Sequence, residues 1–354
     1  MGAIIKREIY FLLKNPITYL AILLMFAIVT ITVRPYLSIY DNLRNENEPV
    51  KYDSEGDIDT GYIPTPIEEW YTVSMAELKE SLINDIGISA ENAEKEIKTI
   101  IRNKWKIDEI SNYMKKKYSI NGVESTFAVH EYKQATYKEM EKYLESSFKH
   151  KTYTQSLAYK YSDFLSIGSI LATIVIFILL LSRDMKKDVY SLLHTKPLKK
   201  GNYVIGKLVS GSIVLYTSIM LLTFTMDIIA VKKGVELGLK TNPLDIWKSV
   251  VMFNLPNIIL TACIVIFITL LFKNILPCIP VMLLYFLYSN MGSVTSAHEY
   301  IYAIKPFVLL IRFPGNFAKL TIPKGAILNQ CLVVIFSIIL LVSCIALWER
   351  RRSV

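Results

Sequence analysis

Phe164-Leu-Ser-Ile-Gly-Ser-Ile-Leu-Ala-Thr-Ile-Val-Ile-Phe-Ile-Leu-Leu-Leu-Ser182 carries no charge along its whole length, with Asp163 before it and Arg183-Asp184 after it. The run matches the roughly 20 apolar residues a helix needs to cross a bilayer. Five further blocks read the same way: 17–33, 208–231, 250–272, 275–292 and 327–348. The chain has 354 residues, is 52% hydrophobic and gathers its apolar residues in these blocks. That pattern excludes a soluble enzyme, a nucleic-acid-binding module and a disordered chain. The sequence pI of about 9.1 therefore asks for a membrane explanation. The expected fold is an all-α polytopic membrane protein with six transmembrane helices.

Charge sets the orientation. With the N-terminus in the cytoplasm, the inside segments are 1–16, 183–207, 273–274 and 349–354. They hold 14 Lys/Arg against 4 Asp/Glu, a net of +10. The remainder holds 26 against 27, a net of −1. An excess of basic residues on the cytoplasmic side is the known bias of membrane proteins. Both termini are thus expected inside and residues 34–163 outside, in a multi-pass protein of the cell membrane. The first apolar block runs into Thr32-Val33-Arg34-Pro35, which lacks the small residues of a cleavage site, so it is expected to remain as an anchor.

The segments between the blocks have their own patterns. In 1–16, Ile5, Ile9, Leu12 and Leu13 form an apolar stripe opposite Arg7, Tyr10 and Lys14, and Asn15-Pro16 ends it. Such a helix is expected to lie in the cytoplasmic interface. Residues 34–163 begin with an acidic, Pro/Gly-punctuated stretch (41–69) that reads as loop or weak strand. Four helices are expected after it. The first opens on a capping box, Ser74-x-x-Glu77, with a stripe of Met75, Leu78, Leu82 and Ile86. The second follows Ser89 with Ala93, Ile97, Ile100 and Ile101, extended by Trp105. The third runs from about Asp108 to Tyr118. The fourth starts near Ser125 and carries Tyr137, Met140, Leu144 and Phe148. Tyr153, Tyr159 and Tyr161 are placed as an interfacial aromatic belt. Residues 183–207 form the only sizeable cytoplasmic loop, and Met185, Val189, Leu192 and Leu193 give it a short amphipathic helix. Residues 293–326 are half apolar but broken by Lys305-Pro306 and Pro314-Gly315. They read as re-entrant or interfacial pieces on the outer side, buried in protein or lining a cavity.

Catalytic and ligand-binding patterns are weak. All four cysteines lie in the apolar blocks, so region 34–163 holds no disulfide, and the histidines are scattered. Gly201-Asn-Tyr-Val-Ile-Gly206-Lys207-Leu208 nearly matches a phosphate-binding loop. Leu208 replaces the Ser/Thr that holds magnesium, however, and no strand precedes it. Lys207 is instead expected to face lipid head groups at a helix start. The alternation Asp53, Glu55, Asp57, Asp59 lacks the closing Glu of a calcium loop and reads as a solvated acidic loop. Asp227 reads either as a snorkelling side chain or as a lining residue of a translocation path. Asn254 and Asn257, beside Pro256, read as helix–helix glue or as part of the same path. No catalytic residue and no metal site are expected.

Three stretches together resemble the membrane subunit of a type-2 ATP-binding-cassette (ABC) exporter of the long-ectodomain kind. The first is Ile4-Ile-Lys-Arg-Glu-Ile-Tyr-Phe-Leu-Leu-Lys-Asn-Pro16, which is similar to the family's elbow helix. The second runs from Arg183-Asp184 through Leu192-Leu193-His194-Thr195-Lys196-Pro197 to Gly206-Lys207. It is similar to the family's entry into the third span. The third is the order of spans, with a large ectodomain after span one. Asp184-Met-Lys-Lys-Asp188 departs from the Glu-rich, Gly-containing stretch often found there. The resemblance implies a permease without its own ATPase domain. It binds no cofactor itself, and ATP and Mg belong to a cytoplasmic ABC ATPase subunit. It also implies a second permease copy or paralogue and contact with membrane lipids, but no nucleic acid. Met185, Lys186, Lys187, Val189, Leu192 and Leu193 would then dock that ATPase as a coupling helix. The expected activity is ATP-driven export or extraction of an amphipathic substrate such as a peptide, an antimicrobial or a lipid-like molecule. The alternative is a membrane-anchored sensor or immunity protein whose ectodomain binds a ligand without transporting it.

Overall fold

The computed structural model describes residues 1–103, 105–186, 189–190, 192–193, 201–294 and 300–352. It is mostly helical and falls into two compact units, Met1–Arg34 with Ser147–Val354, and Pro35–Ser146. Among the described residues, five helices are long and apolar enough to cross a membrane: Pro16–Leu37, Tyr153–Ser182, Asn202–Glu236, Leu244–Phe272 and Ala326–Arg350. This is an all-α membrane protein. The block 275–292 gives only a 13-residue helix, Cys278–Asn290. At 1.5 Å per residue that is about 20 Å, short of the roughly 30 Å of hydrocarbon.

In the larger unit, helix α1 (Gly2–Lys14) ends because Asn15 precedes a proline, which drives it to extended backbone (φ −94°, ψ 121°). Its Oδ1 accepts from Ile17 N at 2.9 Å as α2 (Pro16–Leu37) begins. One face of α2, at Ala21, Met25, Val29 and Val33, is buried, while Leu20, Leu23, Leu24 and Ile31 are exposed. That asymmetry suits a helix with protein on one side and lipid on the other. The central element is α8 (Tyr153–Ser182), which packs on α9 (Asn202–Glu236), α10 (Leu244–Phe253) and α11 (Leu255–Phe272). Helices α12 (Cys278–Asn290) and α13 (Ala326–Arg352) follow, with α13 against α11. Small residues permit the close crossings. A Cβ on Gly211 of α9 would lie 2.6 Å from Phe177 Cζ of α8.

Several expectations change here. The helix of the second span begins at Tyr153, inside the stretch expected to be ectodomain. Tyr153, Tyr159 and Tyr161 are buried in it and do not form an interfacial belt. Tyr159 stacks on Phe313 (4.9 Å, 3°), and Tyr161 OH meets Thr223 Oγ1 at 3.0 Å. The span at 250–272 starts earlier and breaks at Asn254, two residues from Pro256, whose missing N–H interrupts the helix. The broken segment before α13 packs into the protein. Val308, Leu309, Leu310, Ile311 and Phe313 are at most 1% exposed.

The smaller unit, Pro35–Ser146, has its own core. Met75, Leu78 and Leu82 of α3 (Ile67–Asn84) meet Ala93, Ile97 and Ile100 of α4 (Ala90–Asn103). Ile110 and Met114 of α5 (Ile107–Tyr118) and Val123 and Phe127 of α6 (Val123–Val129) complete it. The stripes expected at 75–86 and 93–101 thus form the core, except that Ile86 and Ile101 are exposed. The capping box at Ser74 is corrected. Helix α3 starts seven residues earlier, after Pro66, and Ser74 is buried with Oγ 3.4 Å from His130 Nδ1. The expected fourth helix is also corrected. It is divided into α6 and α7 (Tyr137–Ser147) by strand β3 (Tyr132–Gln134). This strand pairs antiparallel with β1 (Tyr52–Asp53) and β2 (Tyr62–Pro64), in register Tyr52↔Lys133 and Ile63↔Lys133. In the acidic stretch, the Asp57 side chain caps a short turn by accepting from Ile58 N at 2.8 Å.

Lys133, at the centre of that sheet, is 6% exposed and bridges Glu69 at 2.6 Å and Glu139 at 2.8 Å. Burial acts to raise the Glu139 carboxyl, but Lys133 and Thr136 outweigh it and hold the pKa at about 2, against an ordinary 4.5. A carboxyl depressed on folding contributes stability that is complete above its unfolded value and lost as pH falls through its folded one. We therefore expect unit 35–146 of the full-length chain to lose protection from hydrogen exchange as pH drops from about 4.5 towards 2. At neutral pH, Lys133→Ala should destabilise the unit by about 3 kcal/mol, because it leaves two carboxylates facing each other. Unchanged protection in the variant would mean that the pairs are idle.

Candidate functional site: a buried charge cluster at one end of the bundle

Three chain segments far apart in sequence meet where α8 ends and α9 begins. Helix α1 brings Glu8, the turn after α8 brings Arg183 and Asp184, and the first two turns of α9 bring Tyr203 and Lys207. Lys207 is 1% exposed. Its Nζ lies 2.9 Å from Glu8 Oε2 and 2.5 Å from Asp184 Oδ2, and donates to Leu180 O at 3.0 Å. Arg183 Nη2 reaches both Glu8 oxygens, at 2.7 and 2.9 Å, while its Nε is 3.3 Å from Asp184 Oδ1. Tyr203 OH donates to Asp184 Oδ2 at 3.1 Å. Two buried carboxylates, the buried Lys207 and the partly exposed Arg183 thus neutralise one another, as buried charges must.

Apolar packing encloses the cluster. The Arg183 guanidinium lies 4.6 Å from the Phe11 ring centroid. Tyr203 stacks on Trp348 of α13 at 3.8 Å and 10°, and Tyr190 meets the same indole edge-on at 6.0 Å. The backbone allows the approach because residue 206 is glycine, where a Cβ would lie 2.8 Å from Ile4 Cγ2. The Gly206-Lys207 pair has a physical purpose here: the glycine admits α1, and the lysine binds its carboxylate. Burial pulls against the charge on Arg183, yet Glu8 and Asp184 raise its pKa above the ordinary value and keep it cationic.

The predicted site residues are placed as follows. The expected stripe of α1 is split. Leu12 is buried, Ile5 and Ile9 are half-buried and Leu13 is 49% exposed. The face in contact with protein is centred on Glu8 and Leu12, because the buried charges outrank the apolar period. Lys207 does not face lipid head groups, since two carboxylates hold it inside the protein. Val189, Leu192 and Leu193 line a cavity of about 370 Å³ whose wall also includes Glu8, Arg183, Asp184 and Lys207 of the cluster itself. Leu192 is 58% exposed, Met185 half-buried and Lys186 exposed, while Lys187 lies outside the described residues. Residues 189–190 and 192–193 are helical, and His194 through Lys200 are outside the description too.

Asn254 and Asn257, each 1% exposed, hold the protein together. The Asn254 amide donates to Ser162 O at 2.9 Å and Ser166 Oγ at 2.8 Å. That of Asn257 donates to Phe253 O at 2.8 Å and Leu309 O at 2.9 Å. Asp227 is 8% exposed on α9. Glu8 was not singled out from sequence. The usable signal was a lone acid on the inner face of an otherwise apolar and basic helix. Among the described residues, no group of three or more His, Cys, Asp and Glu is placed to hold a metal.

Compared with protein-family models, with curated proteins and with solved structures, the chain finds no match.

The cluster makes a direct prediction. Lys207→Ala leaves two buried carboxylates with Arg183 as their remaining cation and should lower the stability of the membrane unit by about 3 kcal/mol. Replacing Glu8 by Gln and Lys207 by Met together removes one charge of each sign and should cost much less. Thermal unfolding of the full-length chain in detergent compares the two. Equal losses would show that cavity formation, and not charge, is the cause.

Proposed function

We propose that the chain is the permease subunit of an ATP-driven transporter of the type-2 ABC exporter kind. It would span the cell membrane six times with both termini cytoplasmic and move an amphipathic substrate outward. The observation that carries this reading is the convergence at Lys207. The leader 4–16, the start of the 183–207 loop and the Gly206-Lys207 entry into α9 are the stretches on which the resemblance rests. Glu8, Arg183, Asp184 and Lys207 bind these stretches into one unit. In such a transporter, a push on the loop would pass through four charges into α1, α8 and α9. Exposed Leu192 and half-buried Leu193 would meet a cytoplasmic ATPase beside that cluster. A paired permease would complete the translocation unit, and the fifth crossing would need the chain on either side of the 13-residue α12 to cover the remaining depth. No Mg or nucleotide is assigned to this chain, because the lysine of its phosphate-loop look-alike is engaged by carboxylates.

Two experiments test the proposal. An apolar side chain buried in a partner contributes roughly 1.5–3 kcal/mol. Replacing both Leu192 and Leu193 by Asp should therefore leave insertion intact but cost at least tenfold in co-purification of the ATPase, or in transport per ATP hydrolysed. Full assembly and full transport in the double variant would overturn the docking assignment. Separately, protease added to sealed cells should cut within 35–146 and spare 183–207. Cutting of the loop in sealed cells would reverse the topology.

A further inference from the structure

Helix α1 has two faces, and the described protein packs on one of them. Glu8 and Leu12 are buried on the inner face, where Lys207 and Arg183 hold Glu8. At about 100° per residue, Lys6, Tyr10, Leu13 and Lys14 stand about 120–160° round the helix from Glu8. All four are exposed, as is Arg7. Lys14 Nζ lies 4.5 Å from the Tyr10 ring centroid. Among the described residues, Lys6, Arg7 and Lys14 form no ion pair. The sole acid of the helix is Glu8, on the other side. An open hollow of about 810 Å³ runs along the outer face. Among the described residues α1 alone lines it, with Ile5, Lys6, Ile9, Tyr10 and Leu13 in its wall.

What covers this face follows from its continuation. Asn15 separates α1 from α2, a helix long and apolar enough to cross a membrane. Tyr19 OH donates to Leu13 O at 2.7 Å and ties the two exposed faces together. Beyond Leu13 the exposed surface runs on through Ile17, Leu20 and Leu24 of α2. These side chains suit the acyl layer, so the outer face of α1 falls where that layer gives way to head groups. Ile9 and Leu13 beside Lys6, Arg7 and Lys14, with Tyr10 between them, is the composition of a helix lying at such a boundary. Three cations and no anion on a face open to head groups select negatively charged ones.

We propose that the outer face of α1 binds anionic phospholipids through Lys6, Arg7 and Lys14, with Ile9 and Leu13 entering the acyl layer beneath the head groups. This goes beyond the transport reading and does not depend on it. It needs only that α2 crosses the bilayer.

The test uses the full-length chain in nanodiscs that contain both phosphatidylglycerol and phosphatidylcholine. Tyr10→Trp places a reporter on the face, and subtracting the fluorescence of the unsubstituted chain removes the four native tryptophans. Bromine on an acyl chain quenches a tryptophan that it touches. One sample carries it on phosphatidylglycerol, the other on phosphatidylcholine. Quenching per brominated lipid should be at least about fivefold greater for phosphatidylglycerol, the worth of a single Lys or Arg near a charged surface. The ratio should fall as salt rises. Changing Lys6, Arg7 and Lys14 together to Gln should bring it close to one, while quenching by phosphatidylcholine persists. Where that triple variant fails to fold, Lys6→Gln and Lys14→Gln should each lower the ratio singly. Equal quenching by the two lipids before these changes overturns the choice of an anionic lipid. Quenching by neither shows that protein or water covers the face and overturns the proposal outright. A ratio unmoved in the triple variant, or in both single ones, overturns the assignment to these three residues. Failure of an ATPase to associate would leave the quenching as it is, so the two readings fail separately.

Discussion

An ammonium taken out of water must be neutralised where it stands, or the lysine will not be buried. Lys207 is buried among the helices of the larger unit, and much of the architecture follows from that. A charge moved into a low-dielectric interior costs several kcal/mol even after relaxation. The offset comes from Glu8 and Asp184, which requires α1 to lie against the start of α9. That approach in turn requires the glycine at 206. Arg183 then balances the second carboxylate, and the stacked pair of Tyr203 and Trp348 excludes water and brings in α13. A leader peptide, a loop and two helices are thereby joined by one electrostatic constraint. Ion pairs of this kind are weak evidence for stability but strong evidence for a fixed geometry. Fixed geometry is what a mechanical coupling between a cytoplasmic partner and a membrane bundle would need.

The same constraint acts on the backbone between α12 and α13. This backbone is non-helical and buried, so its N–H and C=O groups must find partners inside the protein. Here side chains supply the partners. Asn329 donates to Val308 O at 3.1 Å, Asn257 to Leu309 O at 2.9 Å and Tyr302 to Leu310 O at 2.6 Å. Ser289 Oγ accepts from Leu309 N at 3.0 Å, and Asp163 accepts from Phe313 N. Polar residues scattered over α8, α11, α12 and α13 thus serve one extended strip. Asp163 also pairs with Arg312, which ties the strip to α8 a second time.

In the unit at 35–146 the balance is different. Its helices are held by one apolar core, with exposed pairs such as Glu91–Lys95 and Glu94–Lys98 adding only tenths of a kcal/mol. Its sheet depends on Lys133, whose stem lies inside while its ammonium meets Glu69 and Glu139. The strand carrying Lys133 is three residues long and flanked by helical sequence, so its pattern alone was too short to show a strand.

Some features of this protein were determined by local sequence alone. Runs such as 164–182 have no stable state in water and no charge to oppose a bilayer, so membrane class and the long spans follow from composition. The stripes at Met75–Leu82 and Ala93–Ile100 follow from helical period, and the end of α1 follows from Asn15-Pro16. The tertiary structure decided which apolar side chains are buried in protein and which stay exposed on its surface. Hydrophobicity cannot make that distinction, because lipid and core are alike to a leucine. It also decided that α3 begins at Ile67 and not at Ser74, since a buried contact with His130 outranks a local cap. Above all, it decided which charges meet. Glu8 and Lys207 are 199 positions apart, and Asp163 and Arg312 are 149 apart. No period or spacing links such residues. Only the packing of helices brings them within reach, and only burial makes the pairing obligatory.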